Sequence, residues 1–232
     1  MHFYDRLLEQ TAVDRMALMR APIIESTLRG RTSLPSYLAF LTEAYHHVRH
    51  TVPLLRACKV ALPARHAWLY DAVEDYVTEE QGHDEWILDD IRACGVDPDT
   101  ARTGRPGHAT AVMVAYAYDA IARRNPVEFF GMVHVLEGTS VSLALTAADR
   151  IQESLLLPDS AFRYLRSHGT LDQKHTVEFA LLMNRMDDAQ DQADIVRATR
   201  AFFRLYGDVF RGLPLPQPGQ QTIAAGLTET IA

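Results

Sequence analysis

Six residues of metal-binding type stand where a helical reading of the chain expects hydrocarbon. His168, Asp172 and His175 follow at i, i+4 and i+7, which places three donors on one side of an α-helix. Ahead of them lie Glu80-Gln-Gly-His83 and Glu137. At about 100° per residue, Leu69, Val73, Tyr76, Ile87 and Ile91 form one apolar stripe, with Glu80 at its centre and His83 beside it. Glu79 falls about 100° from Glu80 and is the weaker ligand candidate, expected instead to orient a ligand or line the pocket. Glu137 is centred on a second stripe of Phe130, Val133, Val141 and Ala144, and the His168 cluster on a third of Leu165, Phe179 and Met183. A carboxylate alone in such surroundings costs several kcal/mol unless it is paired or holds a cation. Three imidazoles and three carboxylates suit iron or manganese, and they suffice for two ions that keep open positions for substrate or oxygen. The competing account is a buried His–carboxylate network without metal. His134 and Tyr76 each lie one turn before a proposed ligand, where they could orient it.

A second polar group is Glu43, His46, His47 and His50. Glu43-x2-His46 repeats the ExxH spacing of ferritin-like carboxylate proteins. These four residues fall opposite the apolar stripe Leu38, Leu41, Tyr45, Val48 and Val52. That facing argues against ligation and leaves two readings: a polar outer or inter-subunit face, or a pocket wall formed by Glu43, His47 and His50.

The elements that must carry these residues are helices. Periodicity near 3.6 dominates, and about seven helices are expected. They cover Phe3–Leu28 with a bend at Pro22, Leu34–Leu62 after a Ser33 cap, Arg65–Cys94 ending at Gly95, His108–Arg124, Pro126–Leu155 after an Asn125 cap, Asp159–Met186, and Asp188–Arg211. The third, fifth and sixth form the core of one helical domain over 1–211. Residues 212–232, with Pro214, Pro216 and Pro218, form a tail expected to start non-helical and lie on the surface. Gly169 sits between two proposed ligands and costs about 1 kcal/mol in a helix interior, so this helix is expected to be loose until metal binds.

Taken together, these residues resemble the haem-oxygenase-like di-iron oxidases, relatives of the TenA and PqqC proteins. The resemblance spans residues 5–210. It rests on Glu80-Gln-Gly-His83, on Glu137 within His134-Val-Leu-Glu-Gly, and on His168-Gly-Thr-Leu-Asp172-Gln-Lys-His175. It implies an all-α, haem-oxygenase-like bundle with Glu80, His83, Glu137, His168, Asp172 and His175 as ligands of two non-haem irons. Manganese could replace one of them. It further implies O2 activation on a small organic substrate that is fatty-acid-, amino-acid- or amine-like, and a homodimer. Phe40-Leu-Thr-Glu-Ala-Tyr-His-His-Val also looks like the helix lining the TenA and PqqC pocket. The thiaminase nucleophilic Cys has no counterpart in Val135-Leu-Glu-Gly-Thr-Ser, and the proximal His of haem oxygenase has only His2 to match it, so no haem is expected. The alternatives are a metal-free TenA/PqqC-like binding protein and a cofactorless oxidase.

Composition narrows the partners. The chain of 232 residues is 47% hydrophobic and 23% charged, with a net charge of −7, which disfavours nucleic acid. No uninterrupted apolar run approaches the roughly 20 residues of a membrane span, and none is expected. The N-terminus shows no basic and apolar leader, and the two cysteines, Cys58 and Cys94, form no paired framework, so a cytoplasmic setting is expected.

Overall fold

The computed structural model describes residues 1–217, and helix is the only regular structure among them apart from short 3₁₀ turns. Twelve α-helices follow in order: α1 Phe3–Gln10, α2 Ala12–Met19, α3 Pro22–Leu28, α4 Leu34–Val48, α5 Thr51–Ala61, α6 Tyr70–Glu80, α7 His83–Ala93, α8 Asp99–Thr103, α9 His108–Arg123, α10 Phe129–Leu155, α11 Arg163–Asn184 and α12 Ala189–Arg211. The expected all-α bundle is found, with more pieces than the seven expected. The first expected helix is three, divided at Thr11 and again before Pro22, which opens α3. The second divides at Arg49 and His50. The third divides at Gln81 and Gly82, between two of the six metal-type residues.

Local chemistry sets these boundaries. Ser33 accepts from the Ser36 amide at the start of α4, Asn125 from Val127 N ahead of α10, and Asp188 from Gln190 N and Asp191 N at the start of α12. The residue ahead of α11 is Phe162, which has no capping oxygen. Asp90 of α7 supplies it from a distance: its two carboxylate oxygens accept from Arg163 N and Tyr164 N, each at 2.9 Å. Burial pushes the Asp90 pKa up to about 7 against those hydrogen bonds. Two of the helices that carry metal-type residues are thereby tied together.

α10 and α11 pack along their length, and α12 covers another side of α10. Val127, Phe129, Phe130, Met132, Val135, Phe179, Met183, Ile195, Ala198 and Phe202 make the main core. α12 therefore joins the three expected core helices. A second core, around Tyr37, Leu41, Ile87, Leu88, Ile91 and Phe162, joins α4, α7 and the start of α11. Val141, expected on the buried stripe of α10, is 38% exposed. One stretch, Pro126–Leu155, is long and apolar enough by length and composition to cross a membrane, contrary to expectation. Here α11 and α12 take two of its sides.

Gly169 has a packing role. A Cβ there would lie 2.7 Å from Leu145 Cγ, so the glycine permits the close approach of α10 and α11. The helix runs unbroken through it. The tail begins non-helical, with Leu213 buried and the Pro214 carbonyl accepting from Ser36 Oγ at 2.7 Å. The remainder of the expected tail, 218–232, lies outside the described residues.

Candidate metal centre

The break at Gln81-Gly82 shapes the first half of the site. Gly82 has φ of 88°, a left-handed conformation that glycine adopts without strain. It leaves Glu80 as the last residue of α6 and His83 as the first of α7, and turns them onto each other: His83 Nδ1 lies 3.1 Å from Glu80 Oε2. His168 of α11 meets His83 edge-on, with ring centroids 4.7 Å apart. One donor atom from each of Glu80, His83 and His168 lies within 4.8 Å of the others. A single ion with bonds of about 2.1 Å could hold all three after side-chain shifts of a few tenths of an ångström. His168 Nδ1 donates to the Tyr164 carbonyl at 3.0 Å, which leaves Nε2 as the free lone pair.

The second half centres on His175. Its Nδ1 lies 3.3 Å from Asp172 Oδ1 and 3.8 Å from Glu137 Oε1, and its Nε2 lies 3.0 Å from Glu79 Oε2. Tyr76 donates to Glu137 Oε2 at 3.3 Å. Glu80, Glu137, His168 and Asp172 face one cavity of about 90 Å³. Four of the six expected ligand residues and Tyr76 thus line one cavity, with His83 held against Glu80 and His175 against Asp172 and Glu137 behind them.

Electrostatics shows what this arrangement lacks. Burial, then the Asp172 charge, pushes the Glu137 pKa well above the usual carboxylate range. Burial likewise opposes ionisation of Glu80, but the hydrogen bond from His83 and the charges of His168 and His175 hold its pKa below the usual value. Asp172 raises the His175 pKa against the effect of burial. Yet His175 Nδ1 is buried with no hydrogen-bond partner of acceptable geometry. With the proton on Nε2, which lies against Glu79 Oε2, Nδ1 presents a lone pair to two carboxylate oxygens. Only a proton or a metal cation reconciles three such donors, and the mixed N/O set suits iron. The residues fit a metal.

Glu79, the weaker ligand candidate by helical counting but kept beside the site, lies with its Oε2 3.0 Å from His175 Nε2 and is itself paired with Lys174 at 3.3 Å. A carboxylate behind a histidine ligand fixes its tautomer and raises its basicity.

The other expected pocket residues divide. His47 faces the cavity. Its Nδ1 donates to the Glu43 carbonyl at 2.9 Å, and burial pushes its pKa down to about 4, so its Nε2 lone pair is available near neutral pH. Glu43 is not a pocket residue. Its carboxylate accepts from Gly107 N at 3.0 Å and from the Thr110 hydroxyl, anchoring the start of α9. His50 Nδ1 meets the Tyr118 hydroxyl at 3.1 Å, away from the cavity. His46 is buried with Nε2 unpartnered, so the polar-outer-face reading fails for both His46 and His47. His134 does not orient a ligand. It stacks on Phe179 at 5.8 Å and meets Tyr4 and Phe203 edge-on.

Sequence reasoning missed Tyr164, Tyr206 and Ser140, which line the same cavity. Tyr164 lies one turn before His168 and Ser140 one turn after Glu137, so helical spacing alone could have flagged both. Tyr206 comes from α12, and no local signal marks it.

Solved structures share this fold. A solved domain of unknown function with a heme oxygenase-like fold from Shewanella denitrificans superposes with a TM-score of 0.79 at 22% identity, covering 90% of each chain. A TenA homolog from Pseudomonas syringae gives 0.73 at 10% identity, again covering 90% of each. Heme oxygenase-1 from the cyanobacterium Synechocystis, solved in complex with heme, gives 0.70 at 13% identity, covering 90% of this chain and 91% of that one. These likenesses establish the haem-oxygenase-like fold. No curated protein matches the sequence. Residues 38–207 match the family described as iron-containing redox enzyme, a span that includes every one of the six metal-type residues, and the chain belongs to that family.

Proposed function

We propose that this protein is a non-haem di-iron oxidase or oxygenase that uses O2 to oxidise a small organic substrate. The observation that carries the reading is His175 Nδ1: buried, unpartnered, and facing the Asp172 and Glu137 carboxylates. Glu80, His83 and His168 would hold one iron, and Glu137, Asp172 and His175 the other. When bound, the irons supply the electrons and Lewis acidity for reducing O2. The chain does the rest. Glu79 holds a proton on His175 Nε2, Tyr76 holds Glu137 through its hydroxyl, and the Tyr164 carbonyl holds His168. Neutral His47 presents a lone pair to the cavity and can accept a hydrogen bond from a substrate there. Phe129, Met132, Leu54 and Leu55 close the chamber against water.

A metal-free binding protein on the same fold would leave three carboxylates and four imidazoles around one cavity without a cation. Anaerobic Fe(II) titration followed by metal analysis decides the matter. Two irons per chain are expected, falling to one in Asp172→Ala or His175→Ala. No uptake by the unaltered protein would refute the proposal.

A further inference from the structure

A second cavity, also about 90 Å³, adjoins the metal chamber and differs from it in kind. The two share Ser140, Tyr164, His168 and Tyr206 as a common wall. Beyond that wall the lining is hydrocarbon from α3, α4, α10, α11 and α12, including Ile24, Phe40, Leu143, Ala144, Ile151 and Leu165. No Lys, Arg, Asp or Glu lines it among the described residues. Three of its hydroxyls are already engaged: Tyr37 donates to the Ala161 carbonyl at 2.7 Å, Thr32 to Thr27 Oγ1 at 3.2 Å, and Ser36 to the Pro214 carbonyl at 2.7 Å. Ser140 Oγ, at the shared wall, is not. It is buried and has no partner.

We infer that the substrate is an amphiphile with an uncharged hydrocarbon body in this apolar chamber and its polar, reacting end at Ser140 beside His168. The inference rests on the proposed oxidase for the identity of the reacting end, whereas the chamber's preference for hydrocarbon rests on its lining alone. An ammonium or guanidinium group at the far end of the molecule would meet no counter-charge and forfeit its hydration. Substrates with a second charge, such as free basic amino acids, are therefore excluded. Each methylene that enters the chamber leaves water for carbon, so affinity rises with chain length until the chamber is full.

The test uses the metal-free full chain and straight-chain primary alcohols from 1-butanol to 1-decanol, with binding followed by calorimetry. Affinity should rise roughly fourfold per methylene, the equivalent of ~0.8 kcal/mol per buried CH₂, and then level off. 6-Aminohexan-1-ol should bind at least about 100-fold more weakly than 1-hexanol. Ala144→Phe should abolish binding of the longer alcohols and leave Fe(II) uptake intact. Affinity independent of chain length, or equal binding of the amino alcohol, would overturn the inference even if Ala144→Phe did not fold. Iron titration of the same preparation separates the two claims. Iron uptake without alcohol binding refutes this inference alone, and alcohol binding without iron uptake refutes the oxidase alone.

Discussion

His134→Phe separates a core histidine from a site histidine, and its consequences follow from burial. The ring is 6% exposed and packs against Tyr4, Phe179 and Phe203. Burial, with the Arg15 charge adding to it, lowers its pKa from 6.5 to about 4. The unfolded chain therefore takes up a proton between pH 6.5 and pH 4 that the folded chain refuses. The sign is fixed: the stability His134 contributes is complete above pH 6.5 and is lost as the pH falls toward 4. At about 1.4 kcal/mol per pH unit, the interval is worth ~3 kcal/mol. His47, also lowered to about 4, adds a similar loss. Phenylalanine keeps the aromatic contacts and removes the proton site. The larger ring can shift stability at neutral pH by about 1–3 kcal/mol of overpacking, so the slope against pH is the quantity to read. Urea denaturation of the metal-free protein at intervals from pH 7 to pH 4.5 should show a shallower fall in the variant, with iron uptake at pH 7 unchanged. An unaltered slope would refute the burial argument, and loss of an iron would return His134 to the metal centre.

Other substitutions probe the parts that position the site. Gly82→Ala forces a Cβ into a left-handed residue at about 1–2 kcal/mol; because Gly82 turns Glu80 onto His83, Fe(II) affinity should fall alongside denaturation stability. Gly169→Ala drives a Cβ into Leu145 and should cost about 1–3 kcal/mol, partly recovered by adding Leu145→Ala; denaturation of the double variant checks it. Glu43→Ala removes the anchor at the start of α9 and should cost about 1–2 kcal/mol in denaturation, with two irons still bound.

The fold class was legible because helical periodicity is a local signal. The proximity of the six metal-type residues was legible because each interrupts an apolar face. What escaped depends on chain breaks and on distant partners. Counting 100° per residue through Gln81-Gly82 assumed one helix, whereas Gly82 interrupts it and turns His83 back onto Glu80. The same counting left open whether the side of α4 with His46 and His47 faces outward or lines a pocket; α8 and α9 pack against that helix, both histidines are buried, and His47 lines the cavity. His134 and Glu137 share one side of α10, yet only Glu137 meets α6 and α11 at the cavity. Asp90, which caps α11 from α7, has no sequence signature, since its partners lie more than seventy residues away. Gly169 looked like a weakness in its helix until the position of Leu145 on α10 was known.

The central claim is that Glu80, His83 and His168 hold one metal, and Glu137, Asp172 and His175 another. Anaerobic Fe(II) titration with metal analysis, on the unaltered chain and on His175→Ala, tests it most directly. Two irons per chain falling to one is the predicted result. Failure of the unaltered chain to take up iron, or an undiminished pair of irons in His175→Ala, would contradict it.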